Sequence, residues 1–334
     1  MPPKVLICPK VLDHKAGEHF DVLVQAGFSV RYAKPVRDLM TAEELCGNLN
    51  NIDAVIAGSE PYTAEVLAKF PQIRVISRVG VGYDSVDVEA ATRQGTAVCI
   101  TPGTNHDSVA ELTLMFLLAI AKRVIPSHAM IVGGGFDRKM TRPLRGQTLG
   151  LIGYGRIGRT VAKHAIGLGM NVLAYDPFLT PGTEEGITVS SLDDVIAHSD
   201  FISLHAPLTQ ETRHIIRRET IARMKQGVVL INTARGPLID EAALAEALTN
   251  GQVSAAGLDV FEKEPPPAGS PILSAPNVVF TPHVGGIDEE GVRQMAVMAC
   301  KSVVDLFQGR WPAERIVNAE ALPDWRWSME PAST

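Results

Sequence analysis

Three apolar runs in this sequence end on residues able to do chemistry. VVLINTARG (228–236) runs into Arg235, AAGLDVFEKEP (255–265) leads to Glu264, and NVVFTPHVGG (277–286) leads to His283. A planar guanidinium grips a carboxylate through two parallel hydrogen bonds and so orients a carbonyl next to it. An imidazole can give a proton to that carbonyl oxygen near neutral pH, and a carboxylate beside it favours the charged ring. Each residue also has a plainer reading. Arg235 could anchor a turn, Glu264 could be a solvated acid in a proline-rich loop, and His283 could cap or pack. What favours chemistry is their shared placement, because open α/β sheets bind ligands outside the carboxyl ends of their strands. The combined reading is interconversion of a 2-oxo acid and a 2-hydroxy acid, with Arg235 as carboxylate clamp, His283 as proton donor and Glu264 as its partner.

Such a reduction needs hydride, and LGLIGYGRIGRTVAK (149–163) points to its source. Gly153, Gly155 and Gly158 have GxGxxG spacing, with Arg156 and Ile157 between the last two. Alone the spacing is weak. Here it follows an apolar strand and opens a helix, and NVLAYD ends on Asp176, eighteen residues past the last glycine. Gly153 permits a tight turn, Gly155 lets backbone approach a pyrophosphate, and Gly158 lets helix and strand pack closely. The helix N-terminus offers unpaired N–H groups and a positive dipole end to the phosphates. Asp176 can accept from a ribose hydroxyl and would repel a 2′-phosphate, so NAD is expected rather than NADP. VGVGYD (79–84) lacks both the spacing and the downstream acid, and reads as a loop offering amides to a small ligand.

Apolar runs alternate with helical patterns throughout, which argues an α/β fold with parallel sheets. The first series of strands reads KVLIC (4–8), FSVRYA (28–33), DAVIAG (53–58), RVISRVG (74–80) and TAVCIT (96–101). The second reads TLGLIG (148–153), NVLAYD (171–176), FISLHA (201–206), VVLINTA (228–234), AAGLDVF (255–261) and NVVFTP (277–282). TAEELCGNL (41–49) opens with a threonine cap and has Glu44 at the capping-box position. DEAALAEALTNG (240–251) starts on Asp240 and stops on Gly251. Two longer helical patterns span 108–125 and 288–309. The tail from Trp311 onward, with Trp325 and Trp327, is expected to fold back on the first domain.

The 334 residues favour two domains, and 46% apolar content can build cores for both. Net charge is −6 with acids and bases interspersed, so nothing suggests nucleic-acid binding. Cys8, Cys46, Cys99 and Cys300 are scattered, without CxxC, which sets a reduced, cytoplasmic compartment as the default. The nine histidines form no HExxH, so a metal site is unsupported. The most apolar stretch, LTLMFLLAIA (112–121), is far short of a membrane span, and the N-terminal run is too short for a signal peptide. A soluble protein is expected.

RVGVGYDSVD, TPGTNHDSVAELT, LGLIGYGRIG, SLHAPLTQET, LINTARGPLIDEAAL, GLDVFEKEP and TPHVGG occur in an order that resembles the D-isomer-specific 2-hydroxyacid dehydrogenase family. The resemblance covers about 50–320. It implies two doubly wound parallel-sheet, Rossmann-like domains with a cleft between them. One would be a discontinuous substrate domain, 1–102 plus 290–334, and the other an NAD-binding domain, 103–289. It implies that Arg235, Glu264 and His283 form the catalytic set, and that Val79, Gly80 and the Asn105 region help hold the carboxylate. It adds His205, Pro207, Thr212, Thr233, Ala234, Asp259, Gly285 and Gly286 to the cofactor shell, and it implies a homodimer formed through 103–145. Glutamate at 264 argues against the formate dehydrogenase branch, which places glutamine there. RVGVGYDSVDVEAATRQG looks most like phosphoglycerate dehydrogenases, with Arg138 and Lys139 as phosphate candidates. Two features are expected to set it apart from that branch: a chain without the C-terminal regulatory domain that many of those enzymes carry, and Glu60 where relatives often carry a basic loop. Glyoxylate and hydroxypyruvate reductases are the neighbouring reading. NAD-sensing corepressors resembling this family are the alternative of another class.

Overall fold

The computed structural model describes residues 2–14, 17–35, 37–184 and 186–327. The chain divides into two compact units, Met1–Asn105 with Ile287–Thr334, and His106–Gly286. The expected tail is therefore described to Trp327, and its last residues, 328–334, lie outside the described ones.

The first unit is built on β1 (Lys4–Ile7), β2 (Ser29–Tyr32), β3 (Ala54–Ala57), β4 (Val75–Arg78) and β5 (Ala97–Cys99). All are parallel, in the order β2-β1-β3-β4-β5. Central strands such as AVIA and VISR are apolar on both faces because each face meets a helical layer. Leu45, Leu49 and Leu67 pack on one side, and Ala296, Cys300 and Val303 of the helix Glu289–Phe307 on the other. Ser77 in β4 donates to the Ala299 carbonyl at 2.9 Å, tying that helix to the sheet. The tail does fold back on this unit. Trp325 Nε1 donates to the Gly95 carbonyl at 2.8 Å, and Trp327 stacks edge-on against Phe28 and Phe307.

The second unit carries β6 (Thr148–Ile152), β7 (Asn171–Tyr175), β8 (Gly182–Glu184), β9 (Ile187–Val189), β10 (Phe201–Leu204), β11 (Val228–Asn232), β12 (Val253–Leu258) and β13 (Val278–Phe280). Their order is β13-β12-β11-β10-β6-β7-β9-β8, parallel except for the β8–β9 pair. The sequence reading missed that pair: two three-residue strands at a sheet edge leave no periodicity to detect. The helix His106–Ala121 lies so close to β12 that a Cβ on Gly257 would stand 2.7 Å from the Phe116 ring.

Both capped helices form as the side chains dictate. Thr41 and Glu44 exchange reciprocal bonds of 3.2 and 2.9 Å with each other's amides. Asp240 caps Glu241–Asn250, which stops at left-handed Gly251. The single helix expected over 108–125 is two: His106–Ala121 and Val124–Val132, separated at Arg123 with φ 54°. Pro126 is the physical reason. Its ring would clash with the carbonyl four residues earlier, so it sits in the first turn of a new helix, where a missing N–H costs nothing.

Candidate active site

In the second unit the chain reverses its direction across the sheet between β6 and β10, the place where such sheets bind ligands. The glycine-rich turn leaves β6 there. Gly153 has φ 98°, and a Cβ on it would lie 2.6 Å from the His205 backbone at the end of β10. Gly158, in the first turn of the helix Arg156–Gly167, would place a Cβ 2.4 Å from the Gly153 carbonyl oxygen. Gly155, the cap residue, differs: a Cβ there would meet nothing within 4 Å. Its amide edge and the helix N-terminus, capped by no side chain, form an open cradle that fits a pyrophosphate. Arg156 is exposed beside it and Ile157 is half-buried. Asp176 follows β7 and accepts from the Tyr154 amide at 2.9 Å and the Phe178 amide at 3.0 Å. These bonds fix the carboxylate next to the glycine turn, with lone pairs left for ribose hydroxyls.

The loop after β10 is laced by Thr212, whose hydroxyl donates to the Pro207 carbonyl at 2.7 Å. His205 places Nε2 2.9 Å from the Ser203 hydroxyl. Burial pushes its imidazole down to about 3, so the ring is neutral at working pH. Its Nδ1 is buried without a hydrogen-bond partner among the described residues.

Arg235, Glu264 and His283 come from the ends of three adjacent strands, β11, β12 and β13. Buried Asn232, the last residue of β11, clamps the turn that presents the arginine. Its Oδ1 accepts from the Ala234 amide at 3.0 Å, and its Nδ2 donates to the Arg235 carbonyl at 2.8 Å. The Thr233 hydroxyl lies 3.0 Å from that of Thr113. Arg235 Nη1 donates to the Ala234 carbonyl at 2.6 Å. The next residue, Gly236, has backbone from the β12 loop where a side chain would go: its Cβ would stand 1.8 Å from the Phe261 carbonyl carbon. That contact brings the Arg235 turn against the segment carrying Glu264.

His283 Nδ1 and Glu264 Oε2 are 2.7 Å apart. Burial works to raise the Glu264 carboxyl. The His283 hydrogen bond and charge, the Phe261 amide at 3.1 Å and the Arg235 charge outweigh it and hold the carboxyl below its usual value. The histidine has left-handed backbone, φ 54°, and the side chain that stabilises this turn is Asp259. Only 1% exposed, Asp259 accepts from the Thr281 hydroxyl at 2.5 Å and from the Val284 and Gly285 amides at 2.8 Å each. Its backbone carbonyl takes the His283 amide at 2.8 Å. Gly286 closes the unit.

The sequence reading assigned neither Asn232 nor Glu241 to the site. Glu241, largely buried, accepts from the Glu262 amide at 2.7 Å and so holds the loop that carries Glu264. An acid directly after a helix-capping Asp was the one available signal. Val79, Gly80 and Asn105 belong to the first unit; there the Gly80 amide donates to the Thr101 hydroxyl at 3.1 Å. Arg138 and Lys139 lie on an exposed segment, Lys139 2.5 Å from Asp137 and Arg138 over the Phe136 ring.

Residues 114–285 match the family model described as "D-isomer specific 2-hydroxyacid dehydrogenase, NAD binding domain". The chain belongs to this family. Its second unit is accordingly an NAD-binding domain. D-3-phosphoglycerate dehydrogenase from Methanocaldococcus jannaschii is 42% identical over 290 residues, which are 85% of this chain and 55% of that one. The chain thus spans about half the length of that relative. Hydroxypyruvate reductase from Thermotoga maritima is 43% identical over 260 residues, 76% of this chain and 85% of that one. Among solved structures, the TT0316 protein of Thermus thermophilus superposes with a TM-score of 0.84 at 36% identity, covering 94% of this chain and 99% of that one. The likeness to this solved structure agrees with an α/β fold of two largely parallel sheets.

Proposed function

We propose that this protein is an NAD-dependent oxidoreductase that interconverts a 2-oxo acid and a D-2-hydroxy acid. The observation that carries the reading is the 2.7 Å His283–Glu264 pair, formed at the ends of neighbouring strands with the Arg235 charge acting on the same carboxylate. When bound, the nicotinamide supplies hydride. Arg235 grips the carboxylate of the acid and sets the face of its carbonyl. His283 gives its proton to the carbonyl oxygen as that oxygen gains charge, and Glu264, 2.7 Å from Nδ1, orients the ring. Asp176, held by two amides, selects NAD. Gly155 and the neighbouring helix N-terminus take the pyrophosphate, with Arg156 and Ile157 beside it. His205, Pro207, Thr212, Thr233, Ala234, Asp259, Gly285 and Gly286 complete the cofactor shell. Backbone groups at Val79 and Gly80, and the Asn105 region, are further contacts for the acid on the strength of the sequence resemblance.

The substrate class lies between phosphohydroxypyruvate, as for phosphoglycerate dehydrogenases, and the unphosphorylated glyoxylate and hydroxypyruvate. The chain is proposed to act as a homodimer in the cytoplasm; among the described residues no helix is long and apolar enough to cross a membrane, and all four cysteines are free. Steady-state turnover of NADH with a panel of 2-oxo acids tests the activity. Turnover on at least one is expected, and His283→Ala should lower kcat by roughly 10²–10⁴-fold. NADH binding without turnover on any acid would instead favour a nucleotide-sensing protein.

A further inference from the structure

The loop that carries Glu264 holds another histidine–glutamate pair, within the same second unit. His214 Nε2 lies 2.5 Å from Glu262 Oε1, and Glu262 stands two residues before Glu264. An ionised carboxylate only accepts, so the imidazole donates. His214 ends the loop after β10, two residues beyond Thr212, and has left-handed backbone, φ 51°, uncommon for a residue with a Cβ. The turn after Arg235 holds it there. The His214 amide donates to the Pro237 carbonyl at 2.8 Å, the Ile216 amide to the Leu238 carbonyl at 3.0 Å, and the Asp240 amide back to the Ile216 carbonyl at 2.9 Å. His214 thus has its backbone fixed to the Arg235 turn and its side chain on the Glu264 loop. That loop gathers three acids. Glu241 accepts from the Glu262 amide at 2.7 Å. Burial pushes the Glu241 carboxyl up, the Glu262 amide opposes this, and the Glu262 and Glu264 charges add to the rise. Each of the two loop acids has its own imidazole, Glu264 that of His283 and Glu262 that of His214.

We propose that the His214–Glu262 pair is a positioning strut for the reaction: it ties the turn that presents Arg235 to the loop that presents Glu264, and so keeps the His283–Glu264 pair aligned with the carboxylate clamp. The proposal rests on the 2-oxo acid reading above. His214 and Glu262 act through Glu264 and are positioning residues. Their side chains are 37% and 35% exposed. An ion pair that open to water adds little to folding stability, so its worth here is geometric. Misplacing a catalytic group by about 1 Å can cost roughly 10²-fold in rate. The Arg235 turn has a brace of its own in Asn232, which accepts from the Ala234 amide and donates to the Arg235 carbonyl. Loss of the strut therefore frees the Glu264 side and leaves the arginine in place. Proton transfer suffers while the hold on the substrate carboxylate persists.

The full chain with NADH provides the test, using whichever of glyoxylate, hydroxypyruvate and 3-phosphohydroxypyruvate the wild type turns over fastest. His214→Ala and Glu262→Ala are each expected to lower kcat, counted per NADH-binding site, by about tenfold or more, with KM for the acid within about threefold of wild type. Glu262→Gln keeps an oxygen that accepts from His214 and is expected to restore most of kcat. The double alanine variant should lose no more than either single one, because the two side chains act as a unit. If one alanine variant folds poorly, the other and Glu262→Gln still decide the matter. Unchanged kcat per site in the alanine variants, or Glu262→Gln as slow as Glu262→Ala, overturns the proposal. So does activity that falls only in step with the number of NADH-binding sites, which marks a pair that serves folding alone. Each of these results leaves the 2-oxo acid reading standing. A wild type that binds NADH yet turns over none of the three acids overturns both.

Discussion

Glu264 is asked to keep a charge while half-buried, and the groups that let it do so are those the proposed reaction uses. The His283 ring accounts for most of the compensation, with the Arg235 cation adding to it. Arg235 also defines the acid end of the substrate, so its removal should separate the two ligands. Arg235→Ala is expected to lower kcat/KM for the acid by about 10²-fold or more, as losing a charge-assisted bidentate contact does. NADH affinity, read by fluorescence titration, should change little. Unchanged kinetics in this variant would remove the carboxylate clamp from the scheme. His205 makes a different prediction, about stability. Its folded value is near 3 against an ordinary 6.5, so the unfolded chain binds a proton that the native state refuses. Stability from this residue is present above pH 6.5 and lost as pH falls toward 3, with a slope of up to about 1.4 kcal/mol per pH unit. Urea unfolding from pH 7.5 down to 4 should show that slope in the wild type and a flatter profile in His205→Gln. Parallel profiles would contradict burial of a neutral ring.

At the scale of elements, the two kinds of glycine contact separate folding from binding. Gly236→Ala puts a methyl 1.8 Å from the Phe261 backbone, which has no flexible end to move aside. A loss of about 1–3 kcal/mol or more is expected, with turnover reduced in the residual folded protein because Arg235 and Glu264 part. Gly155→Ala meets open space in the protein. Its stability should stay within about 0.5 kcal/mol while NADH binding weakens, since the methyl projects where the pyrophosphate would lie. A Gly155 variant that bound NADH normally would displace the proposed cradle. The same contrast explains what the sequence made legible. Buried strands such as VVLIN, and caps such as Thr41 and Asp240, declare themselves locally, through apolar runs and a side chain within three residues of its partner. The catalytic candidates were readable because each follows such a run. The break at Arg123 was less so, because the proline that causes it acts on a carbonyl four residues upstream. The roles of Asn232, Asp259 and Glu241 depend on which loop folds against which, and a buried polar residue looks like any other until its amide partners are known.

For the whole molecule, the open question of assembly turns on one stretch of the second unit. The helix Val124–Val132 reads VIPSHAMIV, yet no residue of it is buried. Val132 is 73% exposed, and beyond the helix Phe136 is 80% and Met140 98% exposed. Ile125 and Ile131 add to the same uncovered surface. Single exposed apolar side chains are ordinary, but a mostly apolar helix left uncovered, with Phe136 and Met140 exposed just beyond it, is the pattern of an interaction surface. The proposed homodimer supplies the cover: a second copy meeting this stretch through its own equivalent buries both at once, as a two-fold axis requires. A stable pairing needs about 800 Å² from each partner, which a helix with its flanking segments can provide. Sedimentation of the wild type at micromolar concentration is expected to give twice the 35.9 kDa chain mass. Val132→Asp with Phe136→Asp places charges in the middle of that contact and should shift the protein toward monomer, with NADH binding retained because the glycine turn and Asp176 belong to other elements of the unit. A monomeric wild type, or a dimer indifferent to both charges, would show that this surface serves something other than self-association.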